Sequence, residues 1–335
     1  MFVETASWAV PGLALMLALL VALAADRWLG EPPTRWHPVV WMGHYLDYCG
    51  RWVQRHAVQQ PLSSPLESVK NYKAFWIAAL LWSVGAAIFL GVFFALQALL
   101  ISSPWWLAGV LLGLLLKPLL AWAMLKSEVL TVQVALGQSL AAGRARLAWL
   151  VSRDSATLTE TQVRESAIES LAENLNDSVI APIFWFVLLG LPGAALYRFA
   201  NTADAMWGYK GVYKGQSWAW AGKWAARADD VLNWLPARLT GVTLALLGGA
   251  GLRAMRREAV KTPSPNSGWP MAAMALALNI RLGKPGVYTL NPAGIAPRQN
   301  DGQRAIAYAS KVLVALIPFA VGAIYMIATF GADKA

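Results

Sequence analysis

The sequence predicts an all-α protein, a polytopic integral membrane helical bundle with re-entrant or broken helices and polar loops on the cytoplasmic side. Of the 335 residues, 57% are hydrophobic and only 14% are charged, and the mean hydropathy is +0.46. This apolar share exceeds that of an ordinary soluble domain. The 18 Trp residues agree with the class, because indole rings collect where a membrane meets water.

The formal net charge of +10 could indicate a nucleic-acid partner. However, polar surface is scarce, and no basic helix is interleaved with base-stacking aromatic residues. We therefore expect no nucleic acid, and attribute the charge to basic loops on one side of the membrane and to anionic substrates. Cys49 is the single cysteine, which excludes an internal disulfide framework and a cysteine metal cluster.

We expect residues 1–335 to form a single integral membrane domain. An apolar helix needs about 20 residues to cross a bilayer. The predicted transmembrane runs are 9–25, 74–101, 105–125 and 312–330, and the runs 179–200 and 239–252 are either transmembrane or re-entrant. Those two runs are short or contain proline and glycine, which favours broken helices buried in protein. Lys117 is expected to snorkel toward the interface rather than face the bundle interior.

The distribution of Lys and Arg predicts the orientation. Residues 26–73, 126–178 and 253–311 are rich in both, whereas the turn 102–104 has neither. The positive-inside rule places these three basic regions in the cytoplasm. Residues 201–238 lie outside if both interrupted runs cross, and inside if both are re-entrant. We favour the second arrangement, which brings all polar clusters to one cytoplasmic face.

Carboxylate and amide side chains that could form a site are concentrated in residues 164–209. Glu165, Glu169, Glu173 and Asp177 recur every four residues, which places them on one helix face. No Lys or Arg shares this stripe, so the carboxylates repel one another unless a cation or a basic ligand completes a site. A solvated helix face is the alternative. The apolar run that follows immediately favours a site at a membrane boundary.

Three clusters of carboxylates and amides could supply the oxygen ligands that Mg²⁺ prefers. The clusters are Glu173, Asn174 and Asp177; Asn201 and Asp204; and Asp229, Asp230 and Asn233. The alternative is that some of these side chains cap helices. Candidates for binding anionic substrate groups are Arg153, Lys210, Lys214, Lys223 and Arg227. These basic residues could instead be interfacial anchors.

The turn 264–268 precedes an apolar helix. With Ser264 and Asn266, its backbone N–H groups could bind a phosphate at the helix N-terminus. A plain capped turn is equally consistent with the sequence, and both alternatives stay open. No Walker A, GxGxxG or HExxH pattern occurs, so a nucleotide site of these short-motif kinds is excluded.

Five ordered motifs carry a resemblance to a known family. They are DRWLGEPPTRWHPVVWMG, LVSRD, ESLAENLNDSVIAPIFW with PGAALYRFANTADAMWGYK, WAARADDVLNWLPARLT, and PSPNSGWPMAAMALALNIRLGKPGVY. Together they resemble the cobinamide-phosphate synthase family of cobalamin biosynthesis, of the CobD/CbiB type, over residues 26–290. The sequence departs from the family at Ala205, where Ser is common, and in a longer segment 214–223.

The resemblance implies an ATP-dependent amide ligase. Members join aminopropanol, free or as its O-phosphate, to the free propionate carboxylate of adenosylcobyric acid. ATP would convert that carboxylate to an acyl phosphate or a similar activated ester, with Mg²⁺ as cofactor. The implied catalytic residues are Glu173, Asp177 and Asp204 as ligands of the metal–nucleotide, and Asp229 and Asp230 as ligands of a second metal or as the base toward the amine.

The remaining implied site residues bind substrate or phosphate. Arg153, Lys210 and Arg227 would hold phosphates, and the others are Asn174, Asn201, Asn233, Ser264 and Asn266. A corrin is large and partly apolar, so we expect Trp185, Trp207, Trp218 and Trp220 to roof a cleft for it.

The resemblance also implies the partners and the cellular location of the protein. Its partners would be adenosylcobyric acid, aminopropanol phosphate and a lipid membrane, which would be the bacterial inner membrane with the active face cytoplasmic. A homo-oligomer, or a complex with other cobalamin-pathway enzymes, is left open. The rival functions are a non-catalytic scaffold or sensor of the same fold and a corrinoid-handling carrier. A transporter is disfavoured because the spans contain few ionisable residues.

Overall fold

A computed structural model of the protein describes residues 4–56, 70–151 and 154–332. The described chain is helical apart from two short hairpins, which confirms the all-α class. The helices are α1 (Glu4–Trp28), α2 (Pro38–Gln54), α3 (Tyr72–Ile101), α4 (Trp105–Leu116), α5 (Trp122–Gln138), α6 (Leu140–Leu147), α7 (Glu160–Leu175), α8 (Ala181–Trp207), α9 (Lys223–Leu232), α10 (Trp234–Leu247), α11 (Leu252–Ala259), α12 (Gly268–Leu278) and α13 (Asp301–Ala332).

Short elements complete the chain. The antiparallel pairs are β1 (Val212–Tyr213) with β2 (Gln216–Ser217), and β3 (Leu282–Lys284) with β4 (Tyr288–Leu290). Single 3₁₀ turns occur at Thr34–Trp36 and Lys117–Leu119, and a π-helical segment, Asn176–Ile180, joins α7 to α8.

Within the described residues, four helical stretches are long and apolar enough to cross a membrane. They are Tyr72–Ile101, Trp105–Gln138, Glu160–Trp207 and Asp301–Phe330. These stretches contain the predicted runs 74–101, 105–125, 179–200 and 312–330. The run 9–25 lies within α1, and the run 239–252 overlaps the 14-residue α10. Which of the runs cross, and which are re-entrant, stays a prediction.

The chain forms two compact units. The first consists of Met1–Leu120, Pro182–Leu232 and Val321–Ala335, and the second of Ala121–Ala181 and Asn233–Ala320. The expectation of a single integral membrane domain stays a prediction.

Helices α1 and α4 pack closely in the first unit. A Cβ atom on Gly109 of α4 would lie 2.8 Å from Leu17 Cβ, and one on Gly113 would lie 2.7 Å from the carbonyl oxygen of Ala18. Gly109 and Gly113 form a GxxxG pair, which lets helix backbones approach each other in apolar surroundings. Because both contacts advance in the same direction along the two helices, α1 and α4 run parallel.

Helix α8 is broken at Gly190, as the glycine and proline content of this run predicted. Gly190 has φ 69° and ψ −158°, and Pro192 follows it. The break frees backbone groups that lipid cannot satisfy. Gln97 of α3 satisfies one of these groups, because its side-chain oxygen accepts a 2.7 Å hydrogen bond from Leu191 N. A polar residue in an apolar span thus stabilises the interruption of its neighbour.

The expectation that Lys117 snorkels is wrong. The residue is only 4% exposed, and its ammonium lies 2.6 Å from Glu31 Oε2 and 3.7 Å from Asp26 Oδ1. Asp26 lies in the last turn of α1, and Glu31 lies in the loop that follows it. An ammonium paired with carboxylates inside the protein does not face lipid. The side chain of Lys117 therefore need not extend to the membrane interface to be stabilised.

Helix α12 is the central helix of the second unit. It is buried on nearly all sides and packs against α7, α10 and α11. A helix that is apolar on all sides is typically buried in a core. The sequence of α12, GWPMAAMALAL, is apolar in this way. Asn279 ends the helix in the left-handed conformation, with φ 52°, and turns the chain into β3.

The close packing of α1 on α4 predicts opposite effects for two glycine substitutions. Gly113→Ala should lower the Tm in detergent, because the added methyl group overpacks the α1 contact at a cost of about 1–3 kcal/mol. Gly91→Ala on α3 is the matched control, since nothing lies within 4 Å of its position. That substitution should leave the Tm unchanged or raise it, because alanine favours the helix. Equal effects of the two substitutions would contradict the packing.

Candidate functional site

Helix α7 begins with a capping box that fixes where its acidic face starts. Thr159 Oγ1 accepts a 3.3 Å hydrogen bond from Gln162 N, and Gln162 Oε1 accepts a 2.8 Å bond from Thr159 N. This reciprocal pair satisfies two N–H groups at the helix start. Thr159 is therefore the N-cap of α7.

The acidic face of α7 is not a solvated surface. Glu165 is 5% exposed and Glu169 is 4% exposed, while Glu173 and Asp177 are half-buried. A cation does approach the stripe, from a distant part of the sequence. Arg281 Nε lies 3.5 Å from Glu165 Oε1. A buried carboxylate is stable only where a positive charge or hydrogen bonds compensate for its lost hydration. The acidic face of α7 is therefore a buried polar surface with partners in the protein.

The hairpin of β3 and β4 lies opposite the acidic face of α7. Lys284 and Tyr288 are direct cross-strand partners, and the turn between them contains Pro285 and Gly286. Gly286 has φ 70°, and Val287 N donates a 2.9 Å hydrogen bond to Lys284 O. Proline followed by glycine with positive φ is the pattern of a type II turn.

Buried Asn291 anchors this hairpin to the core of the second unit. Its side-chain amide donates to the carbonyl oxygens of Ala275 and Ile280, at 3.3 and 3.0 Å. Its backbone N–H donates a 2.7 Å hydrogen bond to Glu258 Oε2. The position of the hairpin opposite α7 is therefore fixed by hydrogen bonds to α12 and α11.

Two cavities lie between α7 and the hairpin, and we call them together the hairpin cleft. The larger, of about 650 Å³, is lined by Gln162 and Glu165 on one side and Arg281 on the other. The smaller, of about 190 Å³, is lined by Glu169, Glu173 and Asn174, with Met271 of α12. Lys284 and Tyr288 line both cavities. The cleft thus combines carboxylates, cations and hydroxyl groups in a volume typical of small-molecule sites.

The π-helical segment carries a buried polar network that the sequence analysis missed. Asn176 is 2% exposed, and its amide nitrogen donates 2.8 Å hydrogen bonds to Asp177 Oδ1 and Asn233 Oδ1. Its amide oxygen accepts a 3.0 Å bond from Thr240 Oγ1. Asn233 precedes α10 but makes no side-chain cap bond there. Asp177 and Asn233 are therefore brought together through Asn176, as parts of one network.

The turn 264–268 is internally hydrogen-bonded. Ser264 Oγ accepts 3.2 Å bonds from the backbone N–H groups of Asn266 and Ser267. Asn266 is buried, and its side-chain oxygen accepts a 2.8 Å bond from Arg238 Nη1. These contacts fit the plain capped turn, and a phosphate site at this position stays a prediction.

The first unit holds the other predicted site residues. Asn201 donates a 3.3 Å hydrogen bond to Asp229 Oδ1, so these two are brought together. Asp204 lies beside Gly208, where a Cβ atom would meet its Oδ1 at 1.9 Å. Arg227 is exposed on α9. Arg153 lies outside the described residues.

Asp230 and Lys210 form a second pair in the first unit. Burial raises the pKa of the Asp230 carboxyl, and the positive charge of Lys210 only partly offsets this effect. The side chain therefore ionises less readily than an exposed aspartate. A raised pKa suits a residue that accepts a proton from a bound amine.

The described residues contain no group of three or more His, Cys, Asp or Glu side chains that could hold a metal ion. The predicted metal ligands are divided, with Glu173 and Asp177 in the second unit and Asp204 in the first. Mg²⁺ on a nucleotide commonly uses one or two carboxylates together with phosphate oxygens and water. Glu169 and Glu173, which line the same cavity, fit that requirement.

Of the four tryptophans expected to roof a corrin cleft, two are core residues and two are half-buried. Trp207 and Trp218 are buried and stack on each other, with ring centroids 5.9 Å apart. Trp207 Nε1 donates to Leu46 O, and Trp185 Nε1 donates to Leu232 O. Trp220 is half-buried, with the ammonium of Lys223 3.4 Å from its ring centroid. Buried tryptophans commonly use the indole N–H on partners inside the fold. A corrin cleft roofed by these four residues stays a prediction.

Comparison with known proteins identifies the family. The family model described as CobD/Cbib protein matches residues 19–316. The chain belongs to this family. It is 42% identical over 271 residues to the cobalamin biosynthesis protein CobD of Chromobacterium violaceum, covering 80% of this chain and 81% of that protein.

Other relatives agree with this assignment. The probable cobalamin biosynthesis protein CobD of Methanothermobacter thermautotrophicus is 39% identical over 279 residues, covering 81% of this chain and 85% of the relative. The cobalamin biosynthesis protein CobD of Halalkalibacterium halodurans is 37% identical over 289 residues, covering 82% of each chain. No solved structure matches the fold.

The raised pKa of Asp230 predicts a pH-dependent stability. A folded-state pKa above the unfolded value gives stability that is present below the unfolded pKa and is lost as pH rises through the folded pKa. The Tm of the wild type minus that of Asp230→Asn should therefore fall as the pH rises from below the ordinary pKa of aspartate, as measured by thermal unfolding in detergent. A difference that stays constant or rises with pH would contradict the burial of this carboxyl.

Proposed function

We propose that this chain is an ATP-dependent adenosylcobinamide-phosphate synthase. It joins aminopropanol, free or as its O-phosphate, through an amide bond to the free propionate carboxylate of adenosylcobyric acid. Family membership supports a role in cobalamin biosynthesis, for which the curated relatives are named. The apolar helices support a membrane location, and we place the protein in the bacterial inner membrane with the hairpin cleft on the cytoplasmic side.

The observation that carries this proposal is the hairpin cleft. Condensing a carboxylate with an amine requires activation, for which ATP is the co-substrate. Nucleotide phosphates need cations around them, and Arg281 and Lys284 line the larger cavity. When bound, Mg²⁺ would neutralise charge on the transferring phosphoryl group. Glu169 and Glu173 are the residues that would hold it.

Lys284 and Tyr288 position the reactants in the cleft. Lys284 presents a cation to a phosphate oxygen, and Tyr288, on the opposite strand, presents a hydroxyl group to the same cavity. The role of Asp229 and Asp230 as the base toward the amine stays a prediction of the resemblance.

The direct test combines purified protein with adenosylcobyric acid, aminopropanol phosphate and Mg-ATP, and follows cobinamide phosphate and ADP by mass spectrometry. The product should depend on both ATP and Mg²⁺. Lys284→Met should lower kcat/KM by about 10–100-fold, the loss expected for one charge-assisted hydrogen bond to phosphate. Lys70→Met is the control, because Lys70 is exposed and far from the cleft in sequence.

A second variant separates a catalytic from a structural role for the acidic face. Glu169→Gln keeps the size of the side chain and removes its charge, and should abolish product in a protein that still folds, as checked by a cooperative thermal transition in detergent. Product formed without ATP would refute the ligase. Wild-type kinetics for Lys284→Met and Glu169→Gln would remove the cleft from the mechanism while leaving the activity itself established.

A further inference from the structure

Helix α11 of the second unit takes no part in the proposed ligation. Two of its residues, Met255 and Ala259, are buried against the rest of the unit. Its three arginines, Arg253, Arg256 and Arg257, are exposed. At about 100° per residue, the arginines lie beside or opposite the two buried side chains. The outer face of α11 is therefore strongly basic.

The protein does not neutralise this basic face. Glu258 is the single acid of α11, and its carboxylate lies 2.7 Å from Lys261 Nζ and accepts a 2.7 Å hydrogen bond from Asn291 N. Helices α10 and α12, which pack against α11, contain no Asp or Glu. Within residues 4–56, 70–151 and 154–332, no carboxylate pairs with any of the three arginines. Their positive charges therefore remain open to an external anion.

The outer face of α11 also carries apolar side chains. Leu252 is 45% exposed and Val260, directly after the helix, is 70% exposed. Both are four residues from Arg256, so the three side chains form one stripe along the helix. Leu246 and Leu247, the last residues of α10, are exposed as well. Basic and apolar side chains on one exposed face are typical of a helix that lies on a membrane surface.

A contact with α13 places the start of α11 near the membrane boundary. Residues 312–330 of α13 contain no charged residue, and the exposed Lys311 precedes them, so the apolar span begins at this point. A Cβ atom on Gly248 would lie 2.3 Å from the hydroxyl oxygen of Tyr308, about one helical turn before the span. Helix α11 begins shortly after Gly248, at Leu252. Its basic face therefore lies at the level where lipid head groups are found.

We propose that α11 lies on the membrane surface and binds the head groups of anionic phospholipids through Arg253, Arg256 and Arg257. A guanidinium group matches the geometry of a phosphate, and an anionic leaflet attracts basic residues next to a membrane span. Leu252 and Val260 contact the first carbons of the acyl chains. The ligand is a membrane lipid rather than free phosphate, because apolar side chains flank the guanidinium groups. Its binding does not depend on the proposed ligase activity.

The test is native mass spectrometry of the full-length protein, purified in detergent and titrated with phosphatidylglycerol or phosphatidylcholine of identical acyl chains. The wild type should bind phosphatidylglycerol more tightly, and Arg256→Gln should weaken that binding about fivefold, the effect of one basic residue near an anionic surface. Arg298→Gln is the matched control. Arg298 is also exposed, but it precedes α13 and lies roughly 15 Å or more from the apolar span. Its replacement should leave the affinity unchanged.

Replacing all three arginines separates charge from side-chain shape. The triple Gln variant should bring the affinities for the two lipids closer together, whereas the triple Lys variant should still prefer phosphatidylglycerol, because an anionic surface attracts either cation. Equal affinity of the wild type for both lipids would overturn the proposal. So would wild-type phosphatidylglycerol binding by the triple Gln variant, or an equal loss of affinity in Arg298→Gln.

A second measurement reports the depth of α11 without measuring affinity. In a Cys49→Ala background, a spin label on Val260→Cys in phosphatidylglycerol nanodiscs should be reached by oxygen dissolved in lipid and protected from a water-soluble nickel reagent. The same label on Gln299→Cys, an exposed position before α13, should be reached by the nickel reagent. Equal access of the nickel reagent to both labels would place α11 in water and contradict the proposal.

Discussion

The second unit depends on the burial of Glu165 and Glu169 on one face of α7. Two carboxylates taken out of water in an otherwise apolar chain are tolerated only if other groups compensate for the lost hydration. Arg281 supplies part of that compensation at 3.5 Å from Glu165. The hairpin that carries Arg281 and Lys284 must therefore stand opposite α7, and the cleft between them follows from this requirement.

The same constraint acts in the first unit. Lys117 is buried beside Glu31 and Asp26, and Gln97 satisfies the broken backbone of α8 at Leu191. In each place a polar group within or beside an apolar span is matched by a partner from another segment. In a chain with few charged residues, these buried polar groups therefore have partners inside the protein.

Much of the fold was predictable because apolar runs and helix breakers act locally. The spacing of Glu165, Glu169 and Glu173 correctly placed them on one helix face, and Gly190 correctly marked a break. Lys117 was misjudged because its partner Glu31 is distant in sequence. The hairpin was missed, although the Pro285–Gly286 pair between short apolar stretches is a turn signal that could have indicated it.

The candidate site was predictable only in part. Glu173 and Asn174 do line the smaller cavity of the cleft, and the cation that lines it with them is Lys284. Arg281 lines the larger cavity, and neither cation was singled out from sequence. Asn176 escaped notice because a π-helical turn rotates the positions after it out of the four-residue spacing. Long-range pairing and irregular helix geometry therefore limit what a single sequence reveals about the site.

The central claim is that the hairpin cleft holds the phosphates of ATP. Crosslinking with an ATP analogue carrying a photoreactive group on the γ-phosphate, followed by peptide mapping, tests it most directly. ATP phosphates bound in the hairpin cleft should give Mg²⁺-dependent labelling within residues 159–174 or 281–290. Unlabelled ATP should suppress this labelling, and Lys284→Met should weaken it. Labelling confined to residues 201–238, around Lys210 and Arg227, would contradict it.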